Sequence, residues 1–367
     1  MGKLLTTTPQ EDGFRMPGEF EKHDGCWMLW PERPDTFRLG AKPAQQAFVE
    51  TAVAISQFER VTMGISARQF SNARSQLPSH IRVVEMSSND AWMRDCGPIF
   101  VNNGQEVRVV DWEFNAWGGL DEGLYFPWDQ DNLVPRKVAE LEWLDRYQVP
   151  MVLEGGGIAV DGEGTLITTT QCVLNPNRNP HLSLTEVECY LQRYLAVEKI
   201  IWLPRGSVDD ETDGHIDGLC AYIRPGELVL GWTDDKSDPQ YEINQEAYEM
   251  LCGERDARKR PFTIHKLPNP RPIYVTAEES AGLDMVEGTH PRPEGLCMGG
   301  SYVNFYLANG GVVVPLYGDP ADQPALAALQ ALMPERKVVG VPSGREILLG
   351  GGMVHCITQQ QPSPNSR

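Results

Sequence analysis

PIFVNNGQEVRVVDWEF, residues 98–114, decides how this chain is organised. Two β-prone runs flank the polar turn Asn102-Asn103-Gly104-Gln105, which is good hairpin chemistry. The design returns three times: GIAVDGEGTLITTT (157–170), DGLCAYIRPGELVLGW (217–232) and SYVNFYLANGGVVVPLY (301–317). The spacing is roughly 60–80 residues, the mark of an internal repeat.

Helix-like segments follow the hairpins. They cover 43–58, 133–144, 183–195, 241–252 and 320–333. The third opens with the capping-box pair Ser183 and Glu186, and the last has Pro320 in its first turn. Short apolar runs come next, at 61–65, 83–86, 200–203, 265–267 and 338–341. The unit is hairpin, helix, strand. A fifth hairpin can be assembled from the two chain ends, residues 26–30 beside 354–360. That closes a ring without leaving a sheet edge. The expectation is an α/β fold, a five-bladed propeller of ββαβ pseudo-repeats. It forms a single domain over residues 1–367, with a fraying tail at 362–367. An ordinary mixed α/β sheet is the alternative.

Bulk properties narrow the partners. Among 367 residues the net charge is −19, which makes nucleic acid and anionic membrane poor partners and a cationic ligand a good one. None of the eight cysteines forms a CxxC pair, so a zinc knuckle is not expected. Their scatter suits reduced thiols. The N-terminus lacks the apolar run of a signal peptide, and no stretch of about 18 apolar residues occurs. A soluble cytoplasmic protein is the expectation.

The loops that enter the repeats carry the chemistry. They read NDAWMRDCG (89–97), LEGGG (153–157) and DDETDGHIDG (209–218). In the closing stretch, LGGGMVHCITQQQP (349–362), Cys356 stands on a β-prone run just past three glycines. A buried core thiol is one reading of Cys356, and a nucleophile the other. His215 and Asp217 are two apart, so an extended strand would turn both to one face. HxD alone also fits zinc or a satisfied core histidine. The usual metal-ligand spacings are absent, however, and no metal is expected.

Four acids or more with one histidine and one cysteine suit a planar cation. A guanidinium is always protonated and matches carboxylates bidentately. Two carboxylates could hold it while a thiolate attacks its central carbon and a histidine protonates the departing ammonia. His355, beside Cys356, would face away on a strand and is the poorer base. Trp92 could stack on the guanidinium or simply pack, and Arg94 should pair with nearby acids.

Five stretches together carry a family resemblance: DGFRMPGEFEKHDGCWMLWPERPDTFR (12–38), SSNDAWMRDCGPIFV (87–101), LEGGGI (153–158), DDETDGHIDG and LGGGMVHCITQQQP. The chain resembles the agmatine deiminases, within the guanidino-group-modifying superfamily and its five-bladed α/β-propeller fold. The resemblance implies hydrolysis of agmatine to N-carbamoylputrescine and ammonia, a step toward putrescine. It implies Cys356 as nucleophile, His215 as general acid/base, and Glu154 as a group orienting His215 or touching substrate. Asp95 and Asp217 would bracket the guanidinium. Trp92 and Glu211 would line the pocket, with Glu211 near the cationic end. No cofactor and a homodimer are expected. The alternatives are a hydrolase of arginine or peptidyl-arginine, and a non-catalytic polyamine-binding propeller. An arginine-specific site should carry an extra arginine for the substrate carboxylate. The acidic 209–213 run argues for an amine instead.

Overall fold

The computed structural model describes residues 2–287 and 289–365. All four internal hairpins form: Ile99–Asn102 with Val107–Glu113, Ile158–Val160 with Thr165–Thr169, Cys220–Arg224 with Glu227–Trp232, and Tyr306–Ala308 with Gly311–Pro315. Each second strand then gains a parallel neighbour after a helical crossover. These neighbours are Arg146–Val152, Lys199–Leu203, Thr263–Pro268 and Lys337–Val341. The expected fifth hairpin also forms. His23–Leu29 pairs antiparallel with Gln359–Pro362 and parallel with Val61–Ile65, which pairs in turn with Arg82–Glu85. The result is an α/β architecture of mixed sheets sharing one strand plan. A short extra pair, Ile273–Tyr274 with Cys297–Met298, lies outside the plan.

Local rules explain the crossovers. Leu184–Leu195 begins at Ser183, whose hydroxyl accepts from the Glu186 N–H while the Glu186 carboxylate accepts from the Ser183 N–H and hydroxyl. Lys42–Ile55 buries Ala44, Ala47, Phe48, Ala52 and Ile55 along one stripe. The last crossover helix runs Asp322–Leu332, so Pro320 precedes it rather than sitting in its first turn. Arg146–Val152 is a strand beyond the short apolar runs, and it contains Pro150, which has no N–H to give a sheet. The ladder steps from Trp112↔Val149 to Glu113↔Val152, so Pro150 falls inside a bulge where no donor is needed.

The closing strand differs from expectation in position. It starts at Gln359, and residues 354–357 form a turn ahead of it. Cys356 therefore stands at a turn, not on a strand. Trp27 Nε1 donates to Gln361 Oε1 at 2.8 Å, which helps lock the two chain ends together. Pro362 pairs with His23, and the Ser363 N–H donates to the Lys22 carbonyl at 2.9 Å, so the expected tail is anchored through 363. Ser366 and Arg367 lie outside the described residues. Among the described residues no helix is long and apolar enough to cross a membrane.

Candidate active site

The glycine-flanked loops converge. Glu154 precedes a 3-10 turn, Gly155–Gly157. His215 precedes another, Ile216–Gly218, so His215 and Asp217 are aimed by that turn and not by a strand. Asp95 lies on the short helix Met93–Cys96. Gly156 sits at the crossing point. A Cβ there would come within 2.5 Å of His215 Nδ1, 2.9 Å of Asp95 Oδ1 and 3.0 Å of Asp217 Oδ2. Only a residue without a side chain lets these three groups meet.

Cys356, His215, Glu154, Asp95 and Asp217 are all buried and brought together. Cys356 Sγ is 3.7 Å from Asp217 Oδ2. His215 lies between two acids, with Nδ1 3.8 Å from Asp95 Oδ1 and Nε2 3.8 Å from Glu154 Oε2. Asp95 accepts from the Gly156 N–H at 3.0 Å and from Trp117 Nε1 at 3.1 Å. Asp217 Oδ2 is 2.8 Å from His355 Nδ1, and His355 Nε2 is 2.9 Å from Glu19. His355 thus supports Asp217 from behind, in keeping with a poor claim as the reacting base. Arg94 pairs with Glu19 at 3.0 Å, as expected of it, and its N–H donates to the Cys356 carbonyl.

The charges bias the protonation states. Burial pushes the Cys356 thiol well above its ordinary range, and the Asp217 and Asp95 charges push it further. It is a neutral thiol at rest. Burial alone would lower His215, but Asp95, Cys172 and Glu154 outweigh it and hold the imidazole protonated. Burial raises Asp95 to about 6, with Asp217 and Glu154 adding repulsion. Burial would also raise Glu154, yet the Arg178 and His215 charges bring it to about 2. Asp217 is held low against burial by the His355 hydrogen bond.

Cys356 opens onto a narrow pocket. Trp92, Asp95, Trp117 and Gly352 line it near the sulfur, and Asp35, Asp90, Glu211 and Arg292 line it further out. A Cβ at Gly352 would meet the Trp92 ring at 2.5 Å. Trp92 packs on Phe37 with ring centroids 5.6 Å apart and donates to Asp90 Oδ2 at 3.2 Å. It therefore serves as wall and packing at once.

The acidic 209–213 run behaves differently from its reading as one cation-binding patch. Of the acids in this run only Glu211 is among the pocket-lining groups, with Thr212 beside it. Asp210 accepts from the Thr212 and His215 N–H groups, and Asp213 pairs with Arg178. The backbone turn consumes their charge. Glu211 is itself paired with Arg292 at 2.6 Å. Arg292 also donates to the Gly350 carbonyl at 2.8 Å, so this pocket arginine is already committed.

Two important residues escaped the sequence reading. Arg178 is fully buried and holds Glu154 Oε1 at 2.7 Å. Its surroundings, NPNRNP (175–180), look like a plain turn and carry no signal. Asn304 Nδ2 donates to Cys356 Sγ at 3.4 Å, and its Oδ1 accepts from the His355 N–H at 2.9 Å. The repeat could have found it, since it lies in the segment entering the fourth hairpin. Cys172 is also buried here, with Sγ 4.0 Å from Glu154 Oε2.

A family model described as Porphyromonas-type peptidyl-arginine deiminase matches residues 15–362. The chain belongs to that family. Its relatives at high identity carry a narrower name. An agmatine deiminase of Pseudomonas aeruginosa (strain LESB58) is 58% identical over 362 residues, 98% of each chain. One from Pseudomonas putida (strain F1) is 55% identical over 368 residues, the full length of both. Among solved structures, the agmatine deiminase of Enterococcus faecalis superposes with a TM-score of 0.96 at 50% identity, covering 99% of this chain and 100% of that one. The C. jejuni agmatine deiminase with substrate bound gives 0.79 at 27% identity, covering 95% and 96%.

Proposed function

We propose that this protein hydrolyses agmatine to N-carbamoylputrescine and ammonia through a covalent intermediate on Cys356. The observation that carries this is the placement of a buried thiol 3.7 Å from Asp217, with Asp95 beside it across Gly156, at the end of an enclosed pocket. High identity to agmatine deiminases along the full length supports it.

The chemistry follows from the charges. Two buried carboxylates next to a thiol keep it protonated. A guanidinium seated between them cancels their field and puts a positive charge beside the sulfur, so the thiolate becomes favourable when substrate binds. The displaced thiol proton leaves to solvent, the thiolate attacks the central carbon, and a C–S bond forms as a C–N π pair moves onto nitrogen. His215, protonated through Asp95 and Glu154, gives its proton to the terminal nitrogen as the C–N bond breaks, and ammonia leaves. The neutral imidazole then takes a proton from water. The water oxygen bonds to the carbon, the C–S bond breaks, and the urea product departs. The departing sulfur takes up the proton of the new hydroxyl group and the thiol is restored, water having supplied the oxygen and its electron pair. Arg178 holds Glu154 in place, and Trp92 closes the site to water.

The amine end of the substrate faces Asp90, Asp35 and Glu211. The commitment of Arg292 to Glu211 leaves no free guanidinium among the described pocket-lining residues for a carboxylate, which favours agmatine over arginine.

In the same reading residues 1–367 form one domain whose five hairpin modules ring a central axis as propeller blades. A second cavity supports this: first strands from three modules, through Ala159, Ala221 and Leu307, line it with Glu19 and His355. The protein acts as a cytoplasmic homodimer in polyamine metabolism, and sedimentation equilibrium checks the dimer. The function is tested by mass spectrometry of products from agmatine and from arginine. N-carbamoylputrescine from agmatine alone is expected, and citrulline from arginine would overturn the reading.

A further inference from the structure

Glu154, Cys172 and His215 place a carboxylate oxygen, a thiol sulfur and an imidazole nitrogen within 4.8 Å of one another, all three side chains buried. Two of the separations are close to ligand spacing, 4.0 Å for sulfur to oxygen and 3.8 Å for nitrogen to oxygen. Ligands on a tetrahedral zinc lie about 3.3–3.8 Å apart, given bonds of about 2.0–2.3 Å. A contraction of about half an ångström would bring those two separations to that spacing. A second observation points the same way. His215 Nε2 is a buried nitrogen with no hydrogen-bond partner, and it is the nitrogen on the Glu154 side. Arg178 ties up Glu154 Oε1, so Oε2 is the oxygen left for the cluster. Gly157 keeps the space open, since a Cβ there would lie 3.5 Å from Cys172 Sγ and 3.9 Å from His215 Nε2.

We propose that Glu154, Cys172 and His215 form an inhibitory site for a thiophilic divalent cation of the zinc class. Cysteine, histidine and carboxylate are the donors such ions favour, and a fourth position stays open for water. Binding forms Zn–S, Zn–N and Zn–O bonds and releases the Cys172 thiol proton together with any proton on His215 Nε2. Nothing is oxidised or reduced. The ion on Nε2 replaces that nitrogen's proton and adds positive charge to the ring, so Nδ1, the nitrogen beside Asp95 and Asp217, no longer takes up the proton that hydrolysis needs, and turnover stops until a chelator removes it. The consequence for activity rests on the proposed function; the binding itself does not.

The test separates the two. Exposed Cys189 and Cys252 are first replaced by serine to remove surface thiols. In that background the Cys356→Ala variant, which lacks the reacting thiol and needs no turnover, is titrated with zinc chloride by calorimetry. Zinc-edge X-ray absorption then reads the ligands. One ion per chain with one sulfur, and nitrogen and oxygen for the rest, is expected. No sulfur ligand, or no bound ion, would overturn the proposal. With Cys356 intact, zinc should inhibit agmatine turnover and a chelator should restore it. Cys172→Ser, compared with its own zinc-free rate, should raise the inhibitory zinc concentration roughly tenfold or more. Unchanged inhibition in Cys172→Ser would place the ion elsewhere and sink the idea. Absence of agmatine turnover would fail the functional reading alone and leave the calorimetric result standing.

Discussion

Gly156 is the residue on which the site geometry turns. It has no side chain, and three functional groups occupy the space a side chain would need. Gly156→Ala should fold, yet displace His215 or Asp95 by a good fraction of an ångström. A drop in kcat/KM of about 10²-fold is expected, read by steady-state kinetics beside a circular dichroism spectrum. Wild-type activity in that variant would mean that the His215–Asp95–Asp217 convergence is unimportant. Asp95→Asn removes half of the charge pair around the substrate while keeping shape. Loss of one partner of a buried charge pair costs about 2–5 kcal/mol, so kcat/KM should fall by at least roughly 30-fold. The deficit should appear in KM as well as kcat. Cys356, His215, Glu154, Asp95 and Asp217 were legible in the sequence because each stands in a glycine-flanked polar loop at a repeat boundary. Arg178 was not, because a buried cation is defined by the acids that reach it from Glu154 and Asp213, and these are distant in sequence.

Elements were legible where local chemistry sets them. The Ser183 capping box, the alanine-rich Lys42–Ile55 and the four turns all follow from short-range rules. Ser183→Ala should cost about 1 kcal/mol in urea unfolding and leave turnover unchanged. A loss of activity equal to the loss of stability would contradict the separation of scaffold and site. Elements were illegible where distant contacts override local preference. Arg146–Val152 is a strand in spite of Pro150, because the bulge against Trp112 and Glu113 excuses it from donating. The segment around Cys356 is β-prone but becomes a turn, because the His355 N–H is captured by Asn304 and the Cys356 carbonyl by Arg94. Both captors lie more than 50 residues away, beyond any local pattern.

At the scale of the whole molecule, Glu19 ties distant parts of the chain together, pairing with Arg94 at 3.0 Å and with His355 Nε2 at 2.9 Å. Burial would raise the partly buried Glu19, but the Arg94 and His355 charges bring it to about 2. A lowered acid stabilises the fold above its unfolded value near 4.5 and loses that contribution as pH falls toward 2. The difference of about 2.5 pH units is worth on the order of 3 kcal/mol. His355 is raised by Glu19 and Asp217 against burial and the Arg94 charge, so its contribution is full below 6.5 and fades at higher pH. The two windows overlap from about pH 4.5 to 6.5, where this cluster is strongest. Glu19→Gln should therefore lower stability at pH 6 and flatten the acid limb of a thermal-denaturation series. Parallel curves for the two proteins would contradict the linkage. The repeat made this scale partly legible: the closing pair of chain ends was foreseen, but the Glu19 cluster between them was not.

The most direct test of the account is acid-quenched mass spectrometry of the protein during steady turnover of agmatine, followed by peptide mapping. The account predicts a species heavier by one agmatine less one ammonia, confined to the peptide that contains Cys356 and absent from Cys356→Ala. Turnover without any such species, or the added mass on another residue, would contradict it.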